Sequence, residues 1–301
     1  MAHTFKSGFV TLVGRPNAGK STLINAVVGH KVAITSNTAQ TTRHRFSAIV
    51  TRDDMQIIMV DTPGLHKPHD ALGQELNTSA IKAMEDVDVV AMLIDCSKPI
   101  GRGDEWVAAQ VNEVHAPHKI LILTKADLVE PKVIEEQMKA AKKLARWDEI
   151  VVLSAKTGKN VSGFEEAVAT WLPEGPKWFP DDMDTDQPLE VIVAEFIREK
   201  ILRSFRDEVP HSIGVVTEDM QYERKKDLYK IYATIYVERD SQKGIIIGKG
   251  GQAIKQIGIE ARKDLEQLLG CGVYLDLNVK IKKNWRRDLN QIRRFGYGEG
   301  I

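Results

Sequence analysis

Apolar residues in the first 170 positions cluster in short continuous runs. Residues 8–13 (GFVTLV), 56–60 (QIIMV), 87–94, 119–123 and 150–153 are each strand-sized and mostly apolar. Between several of them lie stretches with helical spacing, at 71–84, 106–114 and 134–146. Continuous apolar strands alternating with helices predict a mostly parallel sheet covered on both faces.

Residues 173–188 (PEGPKWFPDDMDTDQP) interrupt this pattern with four prolines and four aspartates. That density of proline excludes a regular element and predicts a linker, partly ordered by Trp178 and Phe179. Beyond it, residues 189–205 have helix spacing. Residues 211–216 and 231–238 read as strands around a polar turn containing 223–227. Residues 243–247 and 252–269 read as helices joined by a tight turn at 248–251, and 274–281 as a last strand before a basic tail, 282–297. The division is therefore 1–172, a linker at 173–188, and a smaller α+β domain at 189–301. No internal repeat or low-complexity tract is visible.

A length of 301 residues suits two domains. With 43% hydrophobic and 28% charged residues, disorder is excluded as the main state. No apolar run approaches the length of a membrane span. The start, MAHTFKSGFVTLVG, does not read as an export leader, which places the chain in the cytoplasm. Cys96 and Cys271 match no metal or redox spacing and read as ordinary thiols of a reducing compartment. The net charge of zero hides an asymmetry. Residues 191–301 hold 21 Lys and Arg against 16 Asp and Glu, and from 243 onward the counts are 12 and 6. A basic C-terminal part points to a polyanionic partner.

Gly14-Arg15-Pro16-Asn17-Ala18-Gly19-Lys20-Ser21 matches G-x4-G-K-[ST], follows a predicted strand and, with Thr22 next, opens a predicted helix. Its glycines let backbone N–H groups curl around phosphates, and the helix dipole adds to their pull. Lys20 would reach the β- and γ-phosphates, and Ser21 would ligate Mg²⁺. Asp61-Thr62-Pro63-Gly64 follows the strand IIMV. Asp61 there can hold a magnesium-bound water, and the N–H of Gly64 can sense the γ-phosphate.

A phosphate loop does not distinguish ATP from GTP. A carboxylate facing the two N–H donors of the guanine edge does. Thr124-Lys125-Ala126-Asp127, after the strand KILIL, supplies it through Asp127, with Lys125 along the base. Ser154-Ala155-Lys156 follows another strand and can close the far side with backbone N–H groups. The first of these motifs is usually N-K-x-D in P-loop GTPases. Thr124 replaces the Asn, so one side-chain amide is missing, and lower guanine affinity is expected.

The succession GRPNAGKS, Gln40-Thr41-Thr42-Arg43-His44-Arg45, DTPG, TKAD and SAK resembles the translation-factor-related small GTPases. The likeness extends through FPDDMDTDQP, VAEFIREKILR and IIIGKGGQAIKQIGIEARKDLE, and covers residues 9–297. Over that length the chain resembles the Era family of bacterial ribosome-assembly GTPases. The resemblance implies a Ras-like P-loop GTPase domain followed by a type II KH domain. It implies Thr42 as the effector-loop threonine that ligates Mg²⁺ with GTP bound, with Thr41 as runner-up. Lys20, Thr42 and Gly64 then act on the γ-phosphate. Leu65 follows the DTPG motif where many GTPases carry a water-orienting glutamine. Hydrolysis is therefore slow, or the water is positioned by backbone groups or a supplied ion. Asn17 stands where some related GTPases hold K⁺, and serves otherwise as a turn former.

Gly248-Lys249-Gly250-Gly251 between helical stretches has the KH form, in which a glycine turn meets the sugar–phosphate chain of about four nucleotides. Ile247, Lys249 and Lys255 flank the expected contact. Ile245, Ile246, Ile247, Ile254 and Ile257 build the helix-pair core and a groove wall. In the tail, Lys280, Lys282, Lys283, Arg286, Arg287, Arg293 and Arg294 face only Asp288, and are expected on phosphate or the ribosome surface, with binding that falls steeply in salt. Trp285 packs in the core or, as the lesser reading, stacks on a base.

By the resemblance, the RNA is the 3′ end of 16S ribosomal RNA and the process is late maturation of the 30S subunit. The expected ligands are GTP and GDP, the cofactors Mg²⁺ and, at Asn17, K⁺, and the default state is a monomer. The alternative is a nucleotide-dependent interaction protein of cell-cycle or membrane-linked regulation with little turnover. Weak contact of the basic surface with anionic lipid at the inner membrane face is compatible with either.

Overall fold

The structure, a computed structural model, describes residues 4–36, 38, 41–205 and 209–298. Residues 1–3, at the start of the leader reading, and Gln40 of the effector segment lie outside the described residues. Two compact units are present. One is formed by residues up to 33, by 42–186 and by 297–298; the other by 34–36, 38, 41 and the described part of 187–296.

The first unit is built on six strands: β1 (Lys6–Gly14), β2 (Phe46–Thr51), β3 (Met55–Asp61), β4 (Val89–Asp95), β5 (His118–Thr124) and β6 (Glu149–Val152). Their order is β2-β3-β1-β4-β5-β6, and all pair in parallel except β2 with β3. Five helices join them: α1 (Lys20–Val28), α2 (Ala71–Lys82), α3 (Arg102–Glu113), α4 (Pro131–Ala141) and α5 (Val161–Trp171). The continuous apolar runs follow from two covered faces. Leu12, Met59, Ala91 and Ile122 pack with Leu23 of α1 and Phe164 of α5. Val13, Val90, Met92 and Leu121 turn the other way, toward Ala80 of α2, Val107 of α3 and Ala141 of α4. Parallel strands bring their carboxyl ends to one rim, where ligands of such sheets bind.

β2 is absent from the hydrophobic reading. It is a six-residue antiparallel edge strand (FSAIVT), with Ser47 and Thr51 half-buried among its buried positions. Helices α3 and α4 begin at Arg102 and Pro131, ahead of the apolar spacing that predicted them. Asp104 closes the first turn of α3 by accepting from the Gly101 N–H at 3.1 Å, and Pro131 opens α4. Residues 173–186 carry no helix or strand, yet they are not loose. The backbone of 184–186 pairs with the outer edge of β2, and the buried Gln56 amide binds the backbone of Trp178 and Phe179 at 2.8–3.0 Å.

The second unit runs α6 (Leu189–Ser204), the four-residue α7 (Val209–Ser212), β7 (Gly214–Glu223), β8 (Leu228–Val237), α8 (Asp240–Ile247), α9 (Gln252–Leu269), β9 (Gly272–Ile281) and α10 (Leu289–Arg294). β7 and β8 are antiparallel, β8 and β9 parallel. The α-β-β-α-α-β order of type II is thus present, with α7 inserted where a strand had been expected from 211. Alternate residues of β8, Ile231, Ala233, Ile235 and Val237, pack with Ile197 and Ile201 of α6 and Ile257, Ala261 and Leu265 of α9. Lys200 and Asp264 pair at 2.5 Å between those helices. Among the described residues, no helix is long and apolar enough to cross a membrane.

Candidate nucleotide site and nucleic-acid interface

β1 ends on Gly14, where a Cβ would stand 2.7 Å from the Leu93 carbonyl of β4. Only glycine lets the chain leave the sheet there. The turn that follows closes with the Ala18 N–H on the Arg15 carbonyl at 3.2 Å. Asn17 and Gly19 adopt left-handed backbone, φ 65 and 101, and α1 starts at Lys20. Arg15 leans outward onto Asp104 at 3.0 Å, and Pro16 lies against Gly64, where a Cβ would come within 2.8 Å of the Pro16 backbone. The Leu65 N–H donates to the Gly14 carbonyl at 3.0 Å. The DTPG segment is therefore laid directly on the phosphate loop.

Behind the loop, Lys20 and Asp61 are both buried. Ser21 Oγ, Thr42 Oγ1 and Asp61 Oδ2 form a triangle with sides of 3.1, 3.1 and 3.2 Å. Thr41 is not part of it: its hydroxyl meets Ser36 Oγ and the Thr38 carbonyl, each at 2.7 Å. Burial lowers the Lys20 ammonium, opposed by the charge of Asp61. Burial pushes the Asp61 carboxyl up to about 6, against Lys20 and the Thr42 and Ser21 hydroxyls.

At the rim beyond β5, Thr124 Oγ1 donates to the Ala18 carbonyl at 2.7 Å, with the Ile94 carbonyl at 3.2 Å. Lys125, with φ 59, pairs with Asp95 at 2.6 Å. The exposed Asp127 accepts from the buried Ser154 hydroxyl at 2.6 Å. Ala155 and Lys156 follow in the loop after β6, beside Asp127. All four motifs thus converge on one rim.

In the second unit the turn between α8 and α9 has Gly248, Gly250 and Gly251 at φ 72, 60 and 77. A Cβ on Gly248 would strike Ala253 at 2.7 Å, whereas Gly250 and Gly251 face open space. Lys249 and Lys255 are exposed on either side.

The family described as "50S ribosome-binding GTPase" matches residues 9–125, and the KH domain family matches 208–286. Two solved structures are similar over nearly the whole chain. One is Era in complex with MgGDPNP and nucleotides 1506–1542 of 16S ribosomal RNA, with 38% identity, a TM-score of 0.94, and coverage of 98% of this chain and 99% of that one. The other is a single-substitution variant of Aquifex aeolicus Era bound to GDP·AlF4⁻, with 38% identity, a TM-score of 0.93, and coverage of 98% and 100%. The chain belongs to the Era family.

The Ser21–Thr42–Asp61 triangle fits the magnesium of an Era-family GTPase. Its donors are all oxygens, as Mg²⁺ requires, and Asp61 Oδ1 is a buried acceptor with no hydrogen-bond partner. Among the described residues no cluster of His, Cys, Asp and Glu offers a second metal site. The raised Asp61 carboxyl sets a pH dependence. Below about pH 6 a proton competes with the metal, so Mg²⁺ affinity of the GDP-loaded protein falls about tenfold per pH unit and levels off above it. Calorimetric titration with Mg²⁺ across that range checks this, and a flat profile would remove Asp61 as ligand.

Thr124, where this chain departs from the usual asparagine, ties the base motif to the phosphate loop through Ala18. Thr124→Val keeps the shape but strands a buried carbonyl, at a cost of about 1–3 kcal/mol. GDP should bind about 5- to 150-fold more weakly in a fluorescence titration. Unchanged affinity would mean that the hydroxyl does not hold the loop.

The basic tail is divided by the fold. Lys280, Lys283, Arg287, Arg293 and Arg294 are exposed, and Lys282 is half-buried. Arg286 pairs with Glu238 at 2.8 Å. Trp285 is fully buried, donates its indole N–H to the Ser212 carbonyl at 2.9 Å and packs on Phe295, so it is a core residue and offers no base a face. On the helix pair, Ile246 and Ile257 are buried and Ile247 and Ile254 partly so, while Ile245 is exposed. Asp95 and Asp104, which aim Lys125 and Arg15, were not among the expected site residues. Their signal was positional: Asp95 ends β4 on the nucleotide rim, and Asp104 sits in the first turn of the next helix.

Proposed function

We propose that this chain is a GTP-hydrolysing switch that binds 16S ribosomal RNA near its 3′ end and assists maturation of the 30S subunit. The Ser21–Thr42–Asp61 triangle carries the hydrolytic half: it joins the phosphate loop, the effector segment and the DTPG strand end at one point, as a γ-phosphate-sensing site requires. The full-length likeness to Era in complex with MgGDPNP and 16S nucleotides supports the RNA half.

Lys20 and the backbone N–H groups of the loop from Gly14 to Lys20, Pro16 apart, hold the β- and γ-phosphates, with Ser21 and Thr22 continuing α1 beneath them. Ser21, Thr42 and Asp61 hold Mg²⁺, which neutralises charge on the phosphate oxygens. Gly64 presents its N–H to the γ-phosphate. Leu65 is fully buried with its own N–H on Gly14, so the attacking water is left to backbone donors or a supplied ion; Asn17, exposed at the mouth of the loop, is the residue that would hold K⁺, which would add positive charge there. Asp127 takes the guanine N–H groups, Lys125 lies along the base, and the N–H groups of Ala155 and Lys156 close the pocket. Ile247, the 248–251 turn, Lys249 and Lys255 hold the RNA backbone. Lys282, Lys283 and Arg287 extend that contact, with Arg286 shared with Glu238. The chain works in the cytoplasm as a monomer.

Phosphate release from excess GTP, in KCl and in NaCl, with and without an RNA of the 16S 3′ end, tests the reading. Many turnovers per protein, faster with KCl and with RNA, are expected. Tight GTP binding without turnover would favour the interaction protein over the enzyme.

A further inference from the structure

The last described residues, Tyr297 and Gly298, belong with the first unit although the chain enters them from α10 of the second. Gly298 N–H donates to the Arg43 carbonyl at 3.3 Å, and Gly298 forms an isolated parallel bridge with His44. Tyr297 is fully buried. Its ring meets His44 edge-on at 4.9 Å between centroids, and the Arg43 guanidinium carbon lies 5.3 Å from the ring centre. Arg43 and His44, two polar residues directly after Thr42, are only 1% and 8% exposed.

Gly298 also meets α2, the helix that follows the DTPG segment. Ser79 Oγ donates to the Gly298 carbonyl at 3.2 Å. Glu75 lies so close that a Cβ on Gly298 would stand 2.3 Å from its Cγ, and φ is +83 there. Position 298 therefore favours glycine: its backbone is left-handed, and a Cβ would have to displace the Glu75 side chain. The tail is wedged between the segment carrying Thr42 and the segment that begins at Gly64, the two that a γ-phosphate would order.

We infer that Tyr297 and Gly298 form a clasp that holds Thr42 at the Ser21–Asp61 pair, making Tyr297 a positioning residue for GTP hydrolysis. The inference rests on the GTPase reading above. Tyr297 acts through Arg43 and His44 on the adjoining Thr42. The aromatic ring makes both of these contacts. Since Thr42 serves only the triphosphate state, the clasp distinguishes GTP from GDP. Along the chain only Phe295 and Gly296 separate it from α10.

The test uses the full chain with Tyr297→Ala and Tyr297→Phe. Affinity for a non-hydrolysable GTP analogue and for GDP is measured together with kcat. Tyr297→Ala should lower kcat about 10- to 100-fold and lower the preference for the triphosphate over GDP, with GDP affinity unchanged; Tyr297→Phe, which keeps the ring, should retain more of both than Tyr297→Ala. Equal losses for GDP and the analogue, or an undiminished kcat and preference in Tyr297→Ala, would overturn the clasp. A wild-type chain that binds both nucleotides without turnover would overturn the enzyme reading instead, and the analogue-to-GDP ratio would still decide the clasp.

Discussion

Lys20→Met is expected to lower kcat for GTP hydrolysis by about 10²- to 10³-fold, the loss typical of removing one preorganised charge-stabilising donor. Lys20 is 6% exposed and enters α1 directly from the phosphate loop. Methionine keeps the unbranched stem, so the buried volume stays filled, and what disappears is the ammonium. Two effects then reinforce each other. The phosphates lose their cation, and Asp61 loses the opposing charge that restrains its carboxyl, already raised to about 6 by burial. The second effect weakens metal binding and is removed at saturating Mg²⁺. The first remains there as a lower kcat. Steady-state phosphate release at saturating Mg²⁺ and GTP measures it, and a kcat within a few-fold of wild type would mean that Lys20 does not touch the transferring phosphate.

The phosphate loop was legible because its chemistry is local. Gly14 is forced by the Leu93 carbonyl and Gly19 by a left-handed backbone, and a strand, a loop and a helix follow in one short stretch. The central strands were legible because burial on both faces makes them continuously apolar. Edge strand β2 was not, since its outer edge is satisfied by residues 184–186, far along the chain. Proline density correctly excluded a regular element from 173–186, but nothing local announces that the buried Gln56 amide binds that backbone. Thr124 illustrates the same limit. Read alone, it is a missing amide; in the fold, its hydroxyl reaches across 106 positions to Ala18. Tyr297 read as the end of a basic tail, and its burial depends on Arg43 and His44, which lie near the other end of the chain. What escapes the sequence is thus mostly long-range closure of polar groups, the part that decides how the two switch segments are held.

In the turn at 248–251, Gly250→Asp is expected to abolish crosslinking to the 3′ end of 16S ribosomal RNA, while Gly250→Asn keeps most of it. Gly250 has φ 60, a conformation that Asp and Asn tolerate better than other non-glycine residues. A Cβ there meets no atom within 4 Å, so either side chain projects outward and the α8–α9 core is undisturbed. The two variants share shape and backbone preference and differ by one charge. If a phosphate passes over the turn, as a G-x-x-G contact requires, aspartate places a like charge against it, a juxtaposition costing several kcal/mol and so about 10²-fold or more in affinity. Asparagine adds bulk and an amide donor, and should lose about tenfold or less. Sequencing RNA crosslinked in cells to the wild type and both variants separates the cases. Loss in Asp alone places phosphate at Gly250. Equal loss in both would mean the turn requires bare backbone and not merely the absence of charge. Undiminished crosslinking in Asp would move the RNA off this turn and leave the exposed cations Lys283, Arg287, Arg293 and Arg294 as its contact surface.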